Sequence, residues 1–400
     1  MLYCHYDYLF FTNRAYDSFY RTISMSTQDN TRLTLTHLIA GALNPADIAD
    51  DQWDLLAPAA LADGLAPMLI HVLHQHDSTL LQLPIFRPLL ADAQLVTYHV
   101  AQLQAVQEKI ESVLTARGIT RIWLKGIALA QTVYPAPNLR SMSDLDFFIP
   151  YECRSDALTA LKEAGFRSID SHEPAAELLA AQHHDRLMDV YSRGFIEMHY
   201  RLFGGDVLVD AAEAWFRRQV YVTPHGWAAL TPEAQLLHLC IHHVLVDFDQ
   251  KLRLVRYFDI HLLVSAGTLN WEVILHTAER FGWLSALAYA LDKVSYWFGT
   301  PIPAHISAQL EAQTDGRGLT PGKLARGADA AGADAALHLL QASSPTERRA
   351  LLRWFLLPPG DYLRCRYPDY AYLPIWALYP LRWSLQAIKL ARLLLTRFTL

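Results

Sequence analysis

The stretch Ile119–Pro150, ITRIWLKGIALAQTVYPAPNLRSMSDLDFFIP, decides how this chain is read. Its first six residues, Ile119 to Leu124, are short, apolar and β-branched, which predicts a strand. KGIALAQTVY (Lys125 to Tyr134) reads as a helix that begins at once, and Pro135 to Ser143 as a loop. DLDFFIP (Asp144 to Pro150) reads as a second strand stopped by its proline. Side chains alternate along a strand, so Asp144 and Asp146 share one face while Leu145 and Phe147 point into a core. Two carboxylates held this close repel each other unless a proton or cation lies between them. On a strand as apolar as this one, a divalent cation, magnesium or manganese, resolves the conflict, since magnesium takes a few carboxylates together with substrate phosphates.

Lys125 and Gly126 stand where strand gives way to helix. A helix start offers free backbone N–H groups to phosphate, glycine allows close approach and lysine adds a point charge. Arg140, four residues before Asp144, is placed to reach a phosphate bidentately. Glu197, in the predicted strand FIEMHY (Phe195 to Tyr200), supplies a third carboxylate from a neighbouring strand. Three carboxylates on adjacent strands can hold two ions, one for the triphosphate and one for the attacking hydroxyl. His199 shares the face of Glu197, where it binds metal, assists proton transfer or makes a structural hydrogen bond. A D-x-D pair alone is common. The order strand, Lys-Gly, helix, Arg, D-x-D, later carboxylate is far more specific.

Outward from this core the chain turns helical. Asp51–Leu61, Pro67–His76 and Ile85–Arg117 carry helical apolar spacing, and Gly118 ends the last. Cys153 to Ala164 reads as a helix ending at Gly165. Arg186–Tyr191 and Phe195–Arg201 read as paired strands. His183, His184, Asp185 and Arg186 form a polar cluster in the loop before them, and His184 is an accessory site candidate. Thr231 is an expected N-cap with Pro232 behind it. In HLCIHH, His238 and His242 share a helix face with His243 adjacent. They are a candidate for a separate hydrolase-type metal site, against a default of helix–helix hydrogen bonding. Arg253 and Arg256 lie one turn apart, placed to face the cleft and bind phosphates; an Arg256–Asp259 surface pair is the simpler reading there.

The expected organisation is an extension at 1–25, a helical region at 26–117, the core at 118–225, helices at 226–310, a Gly/Ala-rich connection at 311–345 and an aromatic helical tail at 346–400. The first 24 residues lack the features of a signal peptide and read as upstream of a start at Met25. The best membrane candidate, Tyr372 to Leu395, is broken by Pro374, Pro380 and several cations. A tail helix near 381–398 would suit weak contact with a membrane surface, or packing on the domain.

With 52% hydrophobic and 18% charged residues, the 400-residue chain has the composition of a folded protein. Its four cysteines, Cys4, Cys153, Cys240 and Cys365, are scattered, which excludes a C-x-x-C zinc site and suits a reducing cytoplasm. A net charge of −6 and the lack of a basic, aromatic pattern argue against a nucleic-acid surface.

WLKGIALAQTVYPAPNLRSMSDLDFFIP, FIEMHYRLF and the helical LTPEAQLLHLCIHHVLVDFDQKLRLVRYFDIHLLV resemble the uncharacterised nucleotidyltransferase family of the polymerase-beta-like superfamily. The resemblance covers roughly residues 32 to 300 and is strongest over Leu124 to Pro150. It implies an α+β fold: a small mixed β-sheet core with flanking helices and helical regions on either side. It also implies a metal-dependent enzyme moving a nucleoside monophosphate from a nucleoside triphosphate to an acceptor, a small molecule or a protein. Asp144 and Asp146 match the family's metal-binding pair and Glu197 its third acidic position. Lys125–Gly126 departs from the usual Gly-Ser turn of the superfamily and lacks its hydroxyl. The competing expectation is a non-catalytic nucleotide-binding or regulatory module on the same fold.

Overall fold

The computed structural model describes residues 25–314, apart from 77, 170–182, 204–209 and 247–252, together with 356–357, 363, 370 and 373–384. The expected extension, most of the Gly/Ala-rich connection and most of the tail, including the candidate membrane-surface helix, lie outside these residues; 375–384 are helical. Among the described residues, no helix is long and apolar enough to cross a membrane.

Among the described residues, four α-helices precede the sheet: α1 (Met25–Ile39), α2 (Trp53–Ala62), α3 (Ala66–His76) and α4 (Arg87–Ala116). The sheet region holds β1 (Ile122–Trp123), α5 (Lys125–Thr132), β2 (Asp144–Phe148), α6 (Arg154–Glu163), β3 (Phe166–Ser168), β4 (His184–Asp189), β5 (Phe195–His199), α7 (Asp210–Arg218), β6 (Val220–Val222) and β7 (Ala228–Leu230). Then come α8 (Pro232–Ile241), α9 (Leu254–Ser265), α10 (Trp271–Arg280), α11 (Leu284–Phe298) and α12 (Ala304–Thr314). The seven strands form one mixed sheet in the order β3-β4-β5-β2-β1-β7-β6. β2 runs parallel to β5 and β1 parallel to β7, and the other pairs are antiparallel. The fold is α+β, as expected.

Two differences from the sequence reading matter. The strand expected over Ile119–Leu124 shortens to Ile122–Trp123, because Ile119 instead closes the end of α4 by bonding to the Leu114 carbonyl. The sheet also takes in β7, so it runs to Leu230, past the expected edge at 225. Thr231 does cap α8, its hydroxyl accepting from the Ala234 amide.

Alternation along the central strands divides the interior in two. Leu145, Phe147, Ile196, Met198 and Leu187 face one side, where Leu103, Val106, Ile110 and Leu114 of α4 and Leu158 and Leu161 of α6 cover them. Phe148, on the opposite face, joins a larger core built from α1, α2 and α3 together with α8 to α12. That core mixes helices from both sides of the sheet in sequence. Asp63, buried after α2, ties them: it accepts from Arg32 Nε at 2.9 Å and from the Leu254 amide at 3.4 Å.

Candidate active site

β2 carries Asp144, Asp146 and Phe148 on one face. Phe148 anchors that face in the helical core, so the two carboxylates at its other end cannot slide. The parallel partner β5 sets Glu197 beside Asp146 and His199 beside Phe148. β4 then sets His184 beside His199. The sheet thus assembles three carboxylates and two imidazoles on one face from three strands.

Asp146 is the electrostatic centre. Its Oδ1 accepts from Lys125 Nζ at 2.8 Å and meets His199 Nε2 at 2.9 Å. His199 Nε2 also lies 3.6 Å from Glu197 Oε2, and His184 Nε2 lies 3.8 Å from Glu197 Oε1. Burial alone would raise the Asp146 carboxyl, yet the Lys125 charge and the His199 hydrogen bond hold it well below the usual range. Glu197 is likewise held low against its burial, chiefly by the nearby His199 imidazole. Lys125 and His199 are both raised despite burial, because the carboxylates favour their charged forms. For Asp144 the more distant Lys125 charge and a hydrogen bond from Ser143 are not enough. Burial, then repulsion from Asp146 and Glu197, pushes it up to about 7.

Asp146, Glu197 and His199 each offer a ligand atom within 4.8 Å of the others. Together with the strained ionisation of Asp144, this donor set fits a divalent cation.

Lys125 begins α5 in the left-handed region, with φ 44°, a conformation disfavoured for any side chain but glycine. That turn directs its ammonium back onto Asp146 while the start of α5 faces the same end of the strands. Gly126 follows, buried, with no room for a side chain. A Cβ there would come 2.7 Å from Arg140 Nη1 and 3.4 Å from Met142 Cβ. Arg140 cannot yield, because Asp259 pins it. Gly126→Ala is therefore expected to cost about 1–3 kcal/mol, as overpacking does, read as a lower urea midpoint with unchanged slope.

Arg140 was expected to reach a phosphate. Its fork is committed elsewhere: Nε and Nη2 donate to Asp259 Oδ1 and Oδ2 at 2.9 and 2.7 Å, inside the protein. Tyr134 Oη also donates to Asp259 Oδ1, at 2.8 Å. The Arg256–Asp259 surface pair is thereby corrected, since Asp259 is fully buried and turned toward Arg140. The polar cluster at 183–186 is divided as well. Its members start a strand rather than fill a loop, so Asp185 turns to the far face and pairs bidentately with Arg154 at 2.7 Å. Among the described residues, no metal-spaced group includes His238, His242 or His243. His238 is buried against Phe203 and Phe216.

Sequence reasoning did not find Tyr134 and Asp259 as the support beneath Arg140. No local pattern signals a pair 119 residues apart. It placed His183 in a polar loop cluster without linking it to His199, although its ring centroid lies 4.3 Å from that of His184 and 5.5 Å from that of His199. The signal was the His-His doublet opening a strand whose partner strand carries His199.

A mixed sheet that holds a D-x-D pair and a third carboxylate on neighbouring strands, beside a Lys-Gly helix start, defines a nucleotidyltransferase-like α+β protein. The chain matches the uncharacterised nucleotidyltransferase family over residues 49–299, more than half its length, and belongs to that family. No curated protein and no solved structure matches it.

Proposed function

We propose that the chain is a metal-dependent enzyme that transfers a nucleoside monophosphate from a nucleoside triphosphate to an acceptor hydroxyl on a small molecule or a protein. The observation that carries this reading is the in-register placement of Asp146 and Glu197 on adjacent parallel strands, with Asp144 on the same face and Lys125 bonded to Asp146.

Asp144, Asp146 and Glu197 would hold magnesium or manganese. Such an ion neutralises phosphate charge and lowers the pKa of a bound hydroxyl. The residues supply the rest. Gly126 lets the triphosphate approach the first turn of α5, whose free N–H groups and dipole favour anions. Lys125, bonded to Asp146 on the same face, would add a positive charge for the phosphates. The acceptor oxygen bonds to the α-phosphorus, the bond from that phosphorus to the bridging oxygen breaks, and pyrophosphate leaves with the electron pair. Glu197, with 27% of its side chain exposed against 7% for Asp146, is the carboxylate open to an acceptor and takes the hydroxyl proton. His199 bridges Asp146 and Glu197 and fixes their spacing. Arg140 acts as a positioning residue beneath Gly126.

Calorimetric titration of ATP, GTP, CTP and UTP with magnesium tests this reading, on the wild type and on an Asp144→Ala, Asp146→Ala double variant. The expected result is magnesium-dependent binding that the double variant loses, and the preferred base comes with it. If no triphosphate binds to a folded wild type, the enzyme reading fails. Binding without any transfer of labelled nucleotide to cell-extract acceptors would mark a non-catalytic module on the same fold.

A further inference from the structure

Beside the carboxylates lies a second donor set of different chemistry. His183, His184 and His199 each offer a nitrogen within 4.8 Å of the others. Their rings crowd together, with centroids 4.3 Å apart for His183 and His184 and 5.1 Å for His184 and His199. Two ligands that each bond an ion at about 2.1 Å can lie at most about 4.2 Å apart. Small ring rotations would therefore close this set.

The hydrogen bonding gives a second, independent sign. His199 Nε2 is hydrogen-bonded to Asp146 Oδ1 at 2.9 Å, and His184 Nε2 lies 3.8 Å from Glu197 Oε1 without a hydrogen bond. In both rings Nδ1 is buried without a hydrogen-bond partner. His199 is fully buried. Orphaned buried nitrogens are rare and call for an explanation. An imidazole with one nitrogen on a carboxylate and the other unused has the arrangement of a metal ligand, because the carboxylate fixes the ring and raises its basicity.

We propose that His183, His184 and His199 form a binding site for a borderline transition-metal dication, zinc or a close chemical relative, next to the oxygen-ligand site for magnesium. Three imidazole nitrogens suit such an ion, whereas magnesium takes oxygen ligands. With Glu197 at its edge the site has the three-nitrogen form that leaves a coordination position for substrate. The inference concerns the imidazoles alone and holds whether or not the chain transfers nucleotides.

The test is a cobalt(II) titration of the tag-free full chain, stripped with chelator, in excess magnesium and without nucleotide, followed by visible absorption. The expected result is one equivalent of cobalt giving a d–d band. Its apparent affinity should fall by at least about 10–100-fold in His183→Ala and in His184→Ala, and Asp144→Asn should leave it unchanged. His184→Gln, which keeps the bulk of the ring, guards against a folding defect and should lose the band as well, with far-ultraviolet circular dichroism intact. A wild type without the band, a band that survives in the folded histidine variants, or a band lost in Asp144→Asn would each overturn the proposal. The last of these outcomes would place the ion among the carboxylates.

Discussion

Replacing Asp144 with Asn is expected to raise the melting temperature of the chelator-treated chain at pH 8 by roughly 2–4 °C. The same change should weaken magnesium-dependent triphosphate binding by at least about 10–100-fold. Both effects come from one carboxyl. Asp144 is half-buried beside Asp146 and Glu197, and desolvation and their repulsion lift its pKa from 3.8 to about 7. A carboxyl raised in the folded state keeps its proton longer than in the unfolded chain. It therefore costs stability progressively between those two values, and in full above the higher one. Asn removes the charge and that cost, so the two proteins should melt alike near pH 3.5, diverge as pH rises from 3.8 to about 7 and keep a constant difference above that. Magnesium reverses the order by stabilising the wild type and not the variant. An Asn variant that melts lower than wild type at pH 8 in chelator would show that Asp144 is already compensated and would remove the argument for an ion there.

The second large effect is first of all on stability. Arg140→Ala and Asp259→Ala should each cost about 3–5 kcal/mol, because each leaves a buried charge without its partner. Tyr134→Phe, which removes one neutral donor to the same carboxylate, should cost about 1 kcal/mol. The double replacement Arg140→Met, Asp259→Leu should lose much less than the sum of the single losses, since neither charge then remains buried. Urea unfolding of the four variants decides the matter. Additive losses would mean that the bidentate contact is not the source of the stability. The pair clamps the loop before β2 to α9, so the alanine variants should also broaden the geometry at Gly126 and weaken triphosphate binding.

The core of the site was readable because its logic is local. Strand, helix start and D-x-D occupy a single run, Trp123 to Asp146, and alternation alone put both aspartates on one face. Glu197 was legible from FIEMHY, where Ile196 and Met198 mark the buried side and leave Glu197 and His199 on the other. What was missed depends on tertiary pairing. FRS, VYV and AAL are three-residue strands with no alternation long enough to register. Asp259 has Arg256 three residues away, and helical spacing pairs them on paper. Burial decided instead for Arg140, whose fork reaches both oxygens from another element. Helical spacing likewise made His238 and His242 look like ligands, while the fold turned His238 into an aromatic pocket with Phe203 and Phe216.

The larger core also has a consequence for synthesis. It joins Leu35 and Leu38 to Leu287 and Trp297, and Thr36 Oγ1 donates to the Trp297 carbonyl. The strands from 122 to 230 are thus an insertion within one helical body. Contacts spanning so much chain are slow to form. A nascent chain that has not yet released residues 284–298 leaves the apolar faces of α1 to α3 without their partners, so the helices made first finish folding last. The carboxylate strand is anchored in that body through Phe148. The site therefore sets only when translation is well past it, and a ribosome that stalls before α11 would display an exposed helical surface and an unset active centre together.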